Sequence, residues 1–91
     1  MGSSAVYRRS PGALWQRTSR RAVVNSPSTG TTLELDGVAA VVWDGLAEPV
    51  AAGELAADLA SVFDRPQALI EADLGALLAW LVEQGAVECC E

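Results

Sequence analysis

"TGTTLELDGVAAVVWDGL", residues 29–46, passes from a turn through a short strand into an apolar helix with almost no linker. Thr32, Glu34 and Asp36 alternate with Leu33 and Leu35, the period of a strand with one buried face. From Asp36 the period changes. Val38, Val41, Val42 and Leu46 fall at helical spacing, Trp43 adds bulk, and Asp36 is expected to cap the helix. Gly45 inside that helix weakens it by about 1 kcal/mol relative to Ala. Nothing after the strand reads as a partner strand.

The partner lies upstream. In "ALWQRTSRRAVVNS", residues 13–26, Trp15 and the pair Val23 and Val24 flank Thr18-Ser19, which suits a hairpin. "SPSTG", residues 26–30, reads as a turn, with Pro27 presetting φ and Gly30 free to take a positive φ. A three-stranded antiparallel meander ending at Thr31–Asp36 follows. Residues 1–12 are polar, end in Ser10-Pro11-Gly12, and are expected to form a loose arm. No apolar segment in that start suits a signal peptide.

Downstream, "LAEPVAAG" breaks the first helix. A second is expected from about Ala51 to Val62, with Leu55, Leu59 and Val62 on one face. "FDRPQ" stops it, and Pro66 suits the first turn of a third. The third, from about Pro66 to Gln84, carries an inner stripe of Ile70, Leu74, Leu77, Leu78 and Leu81. Gly85 suits the residue after its end. Three short strands followed by three helices, the last two joined tightly, make an α+β winged helix-turn-helix domain over residues 13–88, with 89–91 as a tail.

The third helix has a second line. Leu69, Asp73, Ala76 and Trp80 recur at spacings of four, three and four, so they share a face. Two readings apply: a helix buried on a wide arc with Trp80 capping the core, or a groove wall. The strand supplies the other wall. If it lies at a sheet edge, its outward backbone groups are open to an extended peptide that adds as a further strand.

Composition narrows the classes. The chain of 91 residues has a net charge of −6 and no histidine. Five arginines and no acid lie in residues 1–33; all twelve acids and only Arg65 lie beyond. The third helix carries Glu71, Asp73 and Glu83 and no cation, the wrong sign for phosphates, so a winged-helix DNA-binding role is disfavoured. Without histidine there is no Ser/His/Asp set, and no glycine-rich phosphate loop is present, so no enzyme is read. Cys89 and Cys90 are adjacent and suit a reduced, cytoplasmic protein; they neither staple a fold nor close a metal site. No run of apolar residues is long enough to span a membrane. A structural or dimerisation module is the remaining alternative.

"STGTTLELDGVAAVVWDGL", "GELAADLASVFD" and "EADLGALLAWLVEQGAVE" together resemble PqqD-like proteins, which supply RiPP recognition elements (RREs). The similarity covers residues 14–88. It implies a winged helix-turn-helix domain that is not an enzyme and needs no cofactor. By resemblance, it binds the leader of a ribosomally made precursor peptide antiparallel to the third strand, in the cleft with the third helix. The bound precursor is presented to a RiPP tailoring enzyme, such as a lasso-peptide protease or a radical-SAM enzyme. Carried onto this chain, the peptide-binding residues are Thr31, Thr32, Leu33, Glu34, Leu35 and Asp36 on the strand. On the helix they are Leu69, Asp73, Ala76, Leu77 and Trp80. Asp36 stands where the family usually has Asn, Leu33 where an aromatic residue is common, and Ala39 where Gly is frequent. Trp80 occupies a position usually polar, which directs it toward a partner: leader, enzyme or a second copy in a weak homodimer. Glu34, Asp36 and Asp73 favour a leader with positive charge near the cleft, and the Arg17/Arg20/Arg21 hairpin suits an acidic leader end or an acidic enzyme surface.

Overall fold

The computed structural model describes residues 5–90. The elements run β1 (Val6–Arg9), β2 (Leu14–Arg17), β3 (Arg21–Asn25), β4 (Thr32–Asp36), α1 (Val38–Gly45), β5 (Val50–Ala51), α2 (Ala52–Phe63), α3 (Gln67–Glu83) and β6 (Val87–Cys90). The result is a small α+β fold with three helices. Its strands form two antiparallel sheets rather than the one expected, ordered β2-β3-β4 and β5-β1-β6.

The meander follows from the sequence pattern. β3 and β4 pair with Val24 opposite Leu33 and Ala22 opposite Leu35. All four side chains are buried, while Thr32, Glu34 and Asp36 face outward. A one-residue slip would send both leucines to solvent, so burial fixes the register. The turn after β3 is anchored from outside. Thr29 Oγ1 donates to Gln84 O at 3.2 Å, at the end of α3. Gly85, at φ 79°, follows it. A Cβ there would stand 2.0 Å from Ser28 Oγ, so both the backbone and the close approach demand glycine.

The second sheet corrects two expectations. Residues 6–9 are not a loose arm: β1 is the central strand, with Val6 opposite both Ala51 and Cys90. Cys89 and Cys90 are not a tail but the end of β6, as free thiols. "VYRR" carries two arginines and finds its partners far along the chain, so no local pattern marks it as a strand. The charges are placed. Arg8 Nη2 meets Glu88 Oε1 at 2.8 Å across the ladder, a bond that raises the Arg8 pKa. Arg9 donates to Trp43 O at 2.7 Å and 3.2 Å, on the last turn of α1. Its guanidinium also lies 4.4 Å from the Trp15 ring centroid and 4.7 Å from that of Trp43. Cation–π contact and a cation at a helix C-terminus both favour this seat, while burial lowers the Arg9 pKa.

Three further details differ from expectation. Asp36 does not cap α1. Gly37, at φ 57°, is the N-cap and has no side chain to offer. Its positive φ ends the strand one residue later, leaving Asp36 on the ladder opposite Arg21, whose Nε it meets at 2.8 Å. On α2, Leu55 and Leu59 are buried but Val62 is 68% exposed, and Phe63 packs against the core instead. The buried row follows steps of four, Leu55, Leu59 and Phe63, which turns Val62 outward in the last turn. Pro66 is the N-cap of α3 rather than its first residue.

The core gathers from both sheets and all three helices. Trp43, Leu46, Leu78 and Leu81 are among its largest fully buried side chains. On α3, Ile70, Leu74, Leu78 and Leu81 are buried as the stripe requires, and Leu77 is half-buried at its border. Among the described residues no helix is long and apolar enough to cross a membrane. The contrast between the two leucine and valine positions is testable by urea denaturation. Leu78→Ala should destabilise the fold by about 2–5 kcal/mol, whereas Val62→Ser should change stability by no more than about 0.5 kcal/mol. A large loss from Val62→Ser would contradict the packing described.

Candidate functional site

The last strand of the meander has one bonded edge and one free edge. At its start Ser26 N–H donates to Thr31 O (2.9 Å), and just past its end Gly37 N–H donates to Arg20 O (3.4 Å). These contacts bracket the β3–β4 ladder and fix its phase. Antiparallel hydrogen bonding alternates residue by residue, so Leu33 and Leu35 turn their backbone groups toward β3. Thr32, Glu34 and Asp36 turn theirs the other way. Among the described residues no strand lies on that side.

Side chains on this strand have other tasks. Leu33 and Leu35 are buried in the core, so they offer a ligand no side-chain surface. Thr31 belongs to the turn, where its N–H donates to Thr29 Oγ1 at 3.2 Å. Arg21 bridges Glu34 and Asp36, each at 2.8 Å. The two acids share this one cation, which weakens their pull on a positive ligand.

An apolar cavity of about 300 Å³ opens beyond the end of β4. Val38, Ala39 and Val42 of α1 form one wall, and Ile70, Asp73, Leu74 and Leu77 of α3 form another. Leu59, Phe63 and Arg65 complete the lining. A second, shallower hollow is lined by Arg17, Arg20, Arg21, Asp36, Gly37 and Val41. Val38 and Phe63 line both, so the two hollows adjoin.

Of the residues singled out on α3, Asp73 and Leu77 line the cavity. Leu69, Ala76 and Trp80 do not line it; Leu69 is 61% and Trp80 39% exposed. The face read from spacing is real, but only its inner border opens on the cavity. On the strand side, Asp36 lines the shallower hollow, while Thr31 to Leu35 line neither. Sequence reasoning missed Val38, Phe63 and Arg65 as site residues, whereas Arg20, expected on the hairpin to meet an acidic leader end or enzyme surface, lines the shallower hollow with Arg17 and Arg21. Val38 shares its helical spacing with the buried Val42 and Leu46, yet is 48% exposed. Phe63 and Arg65 do carry a signal in the sequence: the chain's sole phenylalanine and its sole cation after Arg21 flank a helix stop. Among the described residues, no group of three or more His, Cys, Asp or Glu is placed to hold a metal.

Comparison with known proteins bears on this geometry. The model of the family described as coenzyme PQQ synthesis protein D (PqqD) matches residues 21–87, which span β3 to the start of β6. The fold is similar to the solution NMR structure of the PqqD truncation of Methylobacterium extorquens PqqCD. That protein is described as a functional and stand-alone ribosomally synthesized and post-translational modified (RiPP) recognition element. The two chains share 26% identity with a TM-score of 0.74, over 91% of this chain and 88% of that one. Among curated proteins none matches significantly.

An apolar cavity of this size, lined by residues of α1, α2 and α3, should accept a small apolar molecule. Titrating benzene into methyl-labelled protein should shift the methyl resonances of Val38, Leu59 and Leu77. Those of Leu14 and Val62, exposed and outside both hollows, should stay fixed. Uniform or absent shifts would mean that the cavity is closed in solution.

Proposed function

The chain belongs to the PqqD family, and we propose from this that it is a RiPP recognition element: it binds the leader of a ribosomally made precursor peptide and hands the precursor to a tailoring enzyme. The observation that carries the reading is the phase of the β3–β4 ladder, which leaves the backbone groups of Thr32, Glu34 and Asp36 facing away from β3 beside an apolar cavity. In this reading the leader adds antiparallel to β4 as a further strand. Leader side chains enter the space bounded by Asp73 and Leu77 of α3. The α2–turn–α3 unit with its neighbouring sheet is then a winged helix-turn-helix put to peptide recognition.

Strand addition suits the chemistry of the edge. Each new main-chain hydrogen bond contributes only about 0.5–1.5 kcal/mol net, so several are needed, together with an apolar anchor in a pocket. The edge supplies the first and the cavity the second. No covalent step is required of the chain. Holding a precursor near an enzyme raises the local concentration of the segment to be modified. Leu69, Ala76 and Trp80, exposed outside the cavity, are left for the tailoring enzyme. The free thiols of Cys89 and Cys90 fit a cytoplasmic setting.

A second reading, a dimerisation module, draws on the same exposed Leu69 and Trp80. Size-exclusion chromatography with and without leader separates the two: a monomer that binds leader supports the first.

The main test uses the polarity of the edge. Proline at residue 34 removes an outward N–H and leaves the β3 ladder intact, a strand context in which proline is tolerated. It also disturbs the exposed Arg21–Glu34 pair, which contributes less than about 1 kcal/mol. Glu34→Pro should therefore stay folded by circular dichroism, within about 1 kcal/mol of the parent. Its affinity for the leader encoded beside the gene, measured by calorimetry, should fall about tenfold or more. Glu34→Ala, which keeps the N–H, should bind within about threefold of the parent. Equal affinity of Glu34→Pro and the parent would exclude strand addition at β4.

A further inference from the structure

The arginines divide sharply by what they already hold. Arg8 pairs with Glu88, Arg9 with Trp43 O, Arg17 with Asp44 and Arg21 with Glu34 and Asp36. Arg20 and Arg65 have no side-chain hydrogen bond or ion pair with any described residue. In a chain with twice as many acids as cations, an uncommitted arginine is the exception. Both exceptions border the adjoining hollows, Arg20 the shallow one and Arg65 the apolar one. Between them stand Val38 and Phe63, shared by both hollows. The acids nearby do not cancel this pattern equally. Asp36 is held by Arg21, and Asp73 lines the apolar hollow with Arg65 but not the hollow that Arg20 lines.

Resting on the strand-addition reading above, we infer that the peptide taken by this chain is acidic on the N-terminal side of its paired segment. An apolar residue follows the acid, which meets Arg20. The polarity comes from the ladder. β4 runs from Thr32 to Asp36, and Arg20 faces Gly37 just beyond its end, through the Gly37 N–H to Arg20 O contact of 3.4 Å. A strand added antiparallel starts at that end. Its first residues pass the arginine-lined hollow before the remainder pairs with Glu34 and Thr32. An apolar side chain at the junction meets Val38, 48% exposed and without a covering partner. A carboxylate on Arg20 gains a charge-assisted hydrogen bond, and an acidic peptide end is steered toward the hairpin rather than toward the acidic helices. This develops the expectation that the hairpin arginines meet an acidic leader end; the expected preference for positive charge near the cleft, which rested on Glu34, Asp36 and Asp73, is weakened where Arg21 pairs with Glu34 and Asp36.

The inference is tested with random dodecapeptides displayed on phage and panned on the intact chain and on its Arg20→Glu variant. Arg20 has no partner to lose, so the variant should keep the parent's circular dichroism spectrum. On the parent, enriched sequences should place Asp or Glu before an apolar residue, N-terminal to the segment whose amides NMR shows to be paired. Synthetic copies should bind Arg20→Glu about tenfold more weakly, and panning on the variant should exchange the acid for Arg or Lys. Selected peptides without an acidic preference, with the acid C-terminal to the paired segment, or with equal affinity for both proteins would overturn the inference. If such peptides still lose affinity for Glu34→Pro, strand addition stands and only the charge reading falls. If nothing is enriched on the parent, both fall together.

Discussion

Antiparallel hydrogen bonding allows each residue of an edge strand to bond on one side only, and in β4 the phase of that alternation is decided by what happens at its two ends. The Ser26–Thr31 contact sets it at the turn, and the Arg20–Gly37 contact sets it at the helix. Between them Leu33 and Leu35 serve the sheet and the core with backbone and side chain alike. Thr32, Glu34 and Asp36 are left with backbone groups that nothing among the described elements uses. An edge of this kind is normally shielded by charge, by a bulge or by a covering element. Here the shielding is confined to charge: Arg21, Glu34 and Asp36 form a small ion-paired network on the exposed face. Such a network discourages side-by-side association of identical edges. It leaves the hydrogen-bonding plane itself accessible.

The rest of the fold holds that edge still. The turn that starts β4 is fastened to the end of α3 through Thr29, and Gly85 permits the close approach. The helix that follows β4 is fastened at its far end by Arg9 on Trp43 O, from a strand of the other sheet. Cα displacement at either end would shift the phase of the ladder and the position of the cavity together. Preorganisation of this sort lowers the ordering entropy that a binding event must overcome. Most of that cost then falls on the incoming peptide.

Much of this was legible in the sequence where the signal is local. Alternation in "TTLELD" gave the strand and its buried leucines, the break at "FDRP" gave the α2–α3 turn, and the stripe on α3 gave its inner face. Long-range features were not legible. β1 and β6 pair with each other from opposite ends of the chain, and neither "VYRR" nor "VECC" has the alternation that would announce a strand. The cap of α1 differs from expectation because Gly37 takes a positive φ that composition alone does not reveal, and the exposure of Val62 because the buried row on α2 follows steps of four. In the candidate site, the strand and the place of Asp73 on α3 were readable from spacing, while Leu77 entered the site through the resemblance to the family. The contributions of Val38, Phe63 and Arg65 depend on how α1 and the end of α2 are juxtaposed in space, which no spacing rule encodes.

The central claim is that one set of backbone amides on β4 is already committed and the alternate set waits for a partner. Amide hydrogen exchange followed by NMR reads the two sets separately. Without ligand, the N–H groups of Leu33 and Leu35 should be protected and those of Thr32, Glu34 and Asp36 should exchange rapidly. With leader bound, the second set should become protected while the first changes little. If Thr32, Glu34 and Asp36 are protected in the free protein, or stay unprotected in a saturated complex, the account is wrong.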